Sequence, residues 1–220
     1  MKRKGIVSFS LFLIAIFCAP AVLLPGPAEA RNIKVGILDT YSGPPAVFGN
    51  DALNGFKMAV DEINKQGVLG GKIEYVTRDD KFKVDIGLNM AKELVLKENV
   101  DVLVGVVNSG VALAVSDAVA KKEKIPFFTW MGKSENITGK TGHRYVFSST
   151  ENTAMACKAA ANVLSKKPYK KIWVAGDDYE YGHALDESFS RYMKQLKPDV
   201  EFVGKTWWKL GEPDLIPYFT

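Results

Sequence analysis

The amino-acid sequence predicts an α/β fold built on parallel sheets and laid out in two consecutive sets of strands and helices. Three observations carry that expectation. From Ile33 onward, strand-like segments alternate with amphipathic helical ones, the pattern of βαβ units joined by right-handed crossovers. The segment Val102-Leu103-Val104-Gly105-Val106-Val107 is nearly continuously apolar, as a strand covered on both faces must be. After Tyr145–Phe147 the alternation restarts behind a polar joint, Ser148-Ser149-Thr150-Glu151-Asn152, so a crossover between domains is expected there.

The order opens with an export signal over residues 1–30. Lys2, Arg3 and Lys4 form a basic region, Ile6–Leu24 an apolar core, and Ala28-Glu29-Ala30 offers small residues at the two positions a signal peptidase reads. Cleavage after Ala30 follows. The apolar run approaches the ~20 residues that span a bilayer, but Pro20, Pro25, Pro27 and the cleavage site argue against an uncleaved anchor. Cys18 suggests a lipid anchor, yet the bulky Phe17 before it suits such a site poorly.

Residues 31–148 are expected to form the first α/β lobe. Alternating Ile33, Val35 and Ile37 give a strand over Ile33–Leu38, stopped by Ser42-Gly43-Pro44-Pro45. A helix over Ala46–Asn64 places Ala52, Phe56, Ala59, Val60 and Ile63 on one face and closes at Gln66-Gly67. Strand Lys72–Thr77 leads to helix Asp85–Lys97, with Met90, Ala91, Leu94 and Val95 inward. The apolar strand at Val102–Val107 precedes helix Val111–Lys122, where Val111, Ala114, Val115, Ala118 and Val119 recur at helical spacing. Ile125–Thr129 and Tyr145–Phe147 complete this set.

Residues 149–220 supply helix Thr153–Leu164, strand Lys171–Ala175, helix Gly182–Leu196 and strand Val200–Thr206, and Glu212-Pro213-Asp214 reads as the start of another helix. Two strands make an exposed sheet with unpaired edges. The chain is therefore expected to be the N-terminal portion of a longer protein, with its second lobe incomplete.

Composition excludes several classes of function. The sequence carries 29 basic and 25 acidic residues; without the leader's Lys2, Arg3, Lys4 and Glu29 the remainder holds 26 against 24, a balance of +2. That is too small a charge to point to nucleic acid or an anionic membrane surface. Cys157 is the one cysteine after Ala30, so no disulfide framework is possible, and its place on the apolar face of a helix reads as a small buried hydrophobe.

Four segments together resemble a known family. They are Val35–Pro44 with Gly49; Gly55 to Asn64 with Asp79-Asp80; Val104-Gly105 to Ser109 with Ile125-Pro126; and Asp178–Gly182. In order and spacing they are similar to the leucine/isoleucine/valine-binding proteins, extracytoplasmic solute receptors of ATP-driven amino-acid importers, over residues 32–220. The resemblance implies a type I periplasmic binding protein: two Rossmann-like lobes joined by three crossovers, closing on a ligand by the hinge motion that periplasmic binding proteins exemplify. It further implies a periplasmic location, a small-molecule ligand such as a branched-chain amino acid or related carboxylate, a permease of the ABC type in the inner membrane as partner, and no cofactor. A ligand-sensing domain of the same fold, coupled to a receptor, is the alternative.

The site can also be read from the residues. In open parallel sheets the ligand crevice lies beyond the carboxyl ends of the strands, so the loops Asp39–Gly49, Val107–Gly110 and Thr129–Lys133 should converge. Asn108-Ser109-Gly110 opens a helix, where backbone N–H groups and a hydroxyl can hold a carboxylate, although Asn108 or Ser109 can equally serve as an N-cap. The resemblance makes Ser109 the carboxylate-binding serine, puts Phe48 where the family's side-chain pocket uses a tyrosine, and matches Tyr181 to a second-lobe tyrosine that meets the ligand on closure. It aligns Met131 and Lys133 with small residues that hold the ligand's ammonium. A cation there repels an ammonium, so Lys133 facing the cleft would call for a ligand lacking that group; turned outward, it would carry no such information. Trp130 could stack on a flat ligand.

An enzyme is not expected. Asp79-Asp80 and Asp177-Asp178 follow strands, but acidic pairs there usually make turns and caps. His143 and His183 are the only histidines, and the sequence has no nucleophile elbow, phosphate loop or dinucleotide fingerprint. No catalytic or metal-ligating residues are assigned.

Overall fold

The computed structural model describes residues 31–219, so the expectations for the export signal, its cleavage and Cys18 lie outside the described residues. Two parallel sheets carry the fold. The first has five strands in the order β2-β1-β3-β4-β5, formed by β1 (Ile33–Asp39), β2 (Ile73–Asp79), β3 (Val102–Gly105), β4 (Phe127–Thr129) and β5 (Val146–Ser148). The helices between them are α1 (Ala46–Gln66), α2 (Val84–Leu96) and α3 (Ser109–Val115), the last continued by a π-helical turn (Ser116–Ala120) and α4 (Lys121–Glu123). The second sheet pairs β6 (Lys171–Asp177) with β7 (Glu201–Trp208), next to α5 (Thr153–Leu164) and α6 (Glu180–Leu196).

Strand register explains the main core. One row across the first sheet runs Val76, Gly36, Leu103, Phe127, Val146, and this row faces α2 and α3. There Leu103, Phe127, Ala91, Leu94, Val111 and Val115 are fully buried. The next row alternates to the other face, as strand geometry requires. On that face Phe128 and Phe147 stack at 4.8 Å and remain 41% and 44% exposed, because no described element covers β4 and β5 on this side.

Four expectations are corrected by the structure. The strand at Val102–Val107 ends at Gly105, where φ of +130° and then +73° at Val106 turn the chain out of the extended region. The third helix begins at Ser109 and is interrupted by the π turn, whose extra residue rotates the following face: Ala118 is exposed while Ala120 is fully buried. At the far end, Glu212-Pro213-Asp214 starts no helix and leads to a single 3-10 turn, Ile216–Tyr218. On α1, Val60 is buried as expected, whereas Ala59 and Ile63 stay exposed.

Candidate functional site

The carboxyl ends of β1, β3 and β4 meet at one buried carboxylate. Asp39, fully buried, accepts from the Thr40 N–H at 2.8 Å and the Val107 N–H at 2.9 Å on Oδ1, and from the Trp130 indole N–H at 2.6 Å on Oδ2. The three loops expected to converge therefore do so through this side chain. The approach is close. At Gly49 a Cβ would lie 2.2 Å from the Thr40 carbonyl oxygen, so only glycine lets α1 start against the β1 turn. Val106 is a β-branched residue at positive φ, a conformation costing on the order of 1–3 kcal/mol, and it aims the next amide, Val107 N–H, at Asp39. Burial pushes the Asp39 carboxyl up to about 6, with its N–H donors opposing the shift.

The β2–α2 turn is held by the paired acids that follow β2. Asp79 accepts from the Tyr41 and Lys81 N–H groups, and Asp80 from the Thr40 hydroxyl and the Phe82 N–H. This is the turn-making role expected of them. Lys81 and Phe82 both have positive φ, which carries the Phe82 ring toward the second unit, where it lies 5.5 Å from Tyr179.

Asn108 caps α3, its Oδ1 accepting from the Gly110 and Val111 N–H groups, while its Nδ2 donates to the Phe82 carbonyl. Ser109 is 1% exposed, and its hydroxyl oxygen accepts from both the Lys133 and Ser134 N–H groups. A serine hydroxyl has two lone pairs and one proton. With both lone pairs engaged, the proton is what Ser109 can offer to an anionic ligand.

A cavity of about 190 Å³ opens between the two units, lined by Pro44, Pro45, Phe48, Phe82, Val107, Tyr179, Leu210 and Gly211, all uncharged. Of the residues singled out in the sequence, this cavity contains Phe48. Trp130 is not among its lining residues; it donates to Asp39 and lies 6.3 Å from Phe56, and Met131 is half-buried in the same loop. The Lys133 ammonium is held at 2.6 Å by Glu151, whose carboxyl is pulled down to about 2 by that bond and by the Thr150 hydroxyl. Tyr181 lines a different hollow, about 330 Å³, between α6 and the β6–β7 sheet. Sequence reasoning missed Phe82, Tyr179 and Leu210; for the first two the signal available was an aromatic one or two residues after an acidic pair at a strand end, at Asp79-Asp80-Lys81-Phe82 and Asp177-Asp178-Tyr179.

The units also touch along one face of α6. Glu180 accepts from the Ser134 hydroxyl at 2.7 Å and the Asn136 amide at 3.1 Å, and Glu135 receives the Ser188 hydroxyl and the Arg191 Nη2, which lies 2.9 Å from both carboxylate oxygens. Glu180, Ala184, Ser188 and Arg191 share that face by helical spacing. The opposite face, with Phe189 and Met193, packs toward Ala161 and Val200.

A family profile described as periplasmic binding protein matches residues 32–220. The Leu/Ile/Val-binding protein BraC3 of Rhizobium johnstonii is 30% identical over 170 residues, 77% of this chain and 46% of that protein. Among solved structures, a solute-binding protein of an ABC transporter from R. palustris in complex with 4-hydroxybenzoate superposes with TM-score 0.71 at 27% identity, over 85% of this chain and 50% of that one. The branched-chain amino acid transporter substrate-binding protein LivJ of Streptococcus pneumoniae, in complex with isoleucine, gives TM-score 0.73 at 28% identity, over 85% and 52%. The chain spans about half the length of the curated relatives it matches. With the family profile running through both sheets and the cleft between them, this chain belongs to the periplasmic binding protein family.

Proposed function

We propose that the chain is the ligand-capturing part of a solute-binding protein serving an ABC-type importer outside the cytoplasmic membrane, with residues 31–148 as its first lobe and residues 149–220 as part of its second. It takes a small organic carboxylate with an apolar body into the interlobe cavity and passes it to a membrane permease. The observation that carries this reading is the cavity lining, uncharged throughout and bounded by Phe48, Phe82 and Tyr179, with Ser109 two residues beyond the lining Val107 at the start of α3. At about 190 Å³ it is below the ~300 Å³ of pockets that hold drug-sized ligands, so a single ring or a short branched chain is the right size.

Among the ligand classes of its relatives, the rings of Phe48, Phe82 and Tyr179 offer flat apolar faces that suit a ring-bearing carboxylate. Titration calorimetry with 4-hydroxybenzoate and isoleucine, two ligands of the related structures, tests the reading. Saturable binding of the benzoate, weakened at least tenfold by Ser109→Ala, is expected from loss of a hydrogen bond to a charged group. Binding of isoleucine alone would reverse the preference, and binding of neither would overturn the proposal.

A further inference from the structure

We infer that Asp39 is a positioning residue for the interlobe cavity: its one carboxylate fixes the β1–α1 turn, the β3–α3 turn and the Trp130 ring to one another. The inference rests on the reading of that cavity as the ligand site. Asp39 itself is fully buried and lines no part of it. Its effect passes through two neighbours. Val107, whose N–H it holds, forms one wall, and the β1–α1 turn it anchors carries Pro44, Pro45 and Phe48 on another.

The chemistry of the three bonds makes Asp39 replaceable by nothing isosteric. Oδ1 takes two backbone N–H groups, a demand that an asparagine oxygen meets equally well. Oδ2 takes the indole N–H of Trp130 at 2.6 Å, a short charge-assisted bond. An asparagine would put its NH₂ there, donor against donor, or flip and desert both backbone groups. Either way the Trp130 ring must leave its place against Asp39 and Phe56. The neighbouring acids make other bonds, Asp79 to the Tyr41 and Lys81 N–H groups and Asp80, through Oδ1, to the Thr40 hydroxyl and the Phe82 N–H, and none of these goes to Trp130.

Asp39→Asn, Trp130→Phe and the double variant test this in the full chain. Two readouts are taken: affinity for 4-hydroxybenzoate, and the indole N–H proton resonance of Trp130, which needs no ligand. Expected is an upfield move of that resonance in Asp39→Asn, with binding weakened about tenfold in each single variant and no further in the double, because both remove one bond. Additive losses in the double variant, or an Asp39→Asn protein that is merely less stable with the Trp130 resonance and affinity unchanged, would overturn it. If the wild-type chain binds no carboxylate, the function proposed above fails, while an unmoved resonance would still defeat the positioning role on its own.

Discussion

The two units are built from the same βαβ grammar and differ in how far they are finished. Among the described residues, the core cluster of the five-stranded unit holds fifteen buried apolar residues around Leu103, Phe127 and Val111, whereas that of the two-stranded unit holds three, Ala161, Met193 and Val200. In the first, α2 and α3 cover one complete sheet face; in the second, residues along β6 and β7 alternate between exposed and half-buried, with Trp173 56% exposed. Burial of apolar surface is the main source of stability, at ~25 cal/mol per Å². The first unit should therefore hold the second, and the polar contacts along α6 are the means.

The largest test of this contrast is in the cores. Phe127→Ala should cost about 3–5 kcal/mol in urea unfolding, since the ring sits among residues that cannot collapse into the void. Met193→Ala should fall near the low end for its type, about 2 kcal/mol, because its small cluster is free to close up or admit water. Equal losses would break the comparison.

A pH experiment addresses the join between sheet and cleft. Below about 3.8 Asp39 is protonated in both folded and unfolded chains, and above about 6 it is ionised in both. Between them the folded state keeps a proton that the unfolded chain has lost, so this residue makes stability fall as pH rises, by up to about 2–3 kcal/mol. Subtracting the profile of Asp39→Asn from that of the wild type should isolate that slope; a flat difference would show that the carboxyl titrates normally.

Smaller effects are expected between the units and on the open sheet. Glu180→Ala should cost about 1–3 kcal/mol by stranding the Ser134 hydroxyl and the Asn136 amide, and should speed hydrogen exchange in α6 before that in β3. Trp173→Thr, on the open face of β6, removes a ring lying on Gly204 and an indole bond to the Thr206 hydroxyl at 2.8 Å, and should cost about 1 kcal/mol. A large loss there would mean that the second sheet is better covered than its described neighbours account for.

Most of the fold was legible because it rests on short-range pattern. The helical spacing at Ala91 and Leu94 registers directly which side faces the core, the alternation at Ile33, Val35 and Ile37 marks β1 although these residues lie on the sheet face opposite the main cluster, and the structure places α5 over Thr153–Leu164 as expected. What escaped was set by distant partners. The π turn at Ser116 has no mark in its sequence; its carbonyl accepts from the Lys121 N–H and pairs with the His143 ring, which lies 27 residues away. In the site, the convergence of three loops followed from sheet topology. That Phe82 and Tyr179 face each other, and that Lys133 turns to Glu151, depends on how one unit sits on the other, which no local pattern encodes.

Cys157 gives the protein a stopwatch. Its thiol is 4% exposed on the wall of the hollow beside α6, donates to the Leu185 carbonyl at 3.3 Å, and is pushed up by burial, so its reaction is held back while the second unit stays closed. Alkylation of Cys157, the one cysteine after Ala30, therefore reports openings of the second unit without a label having to be engineered in.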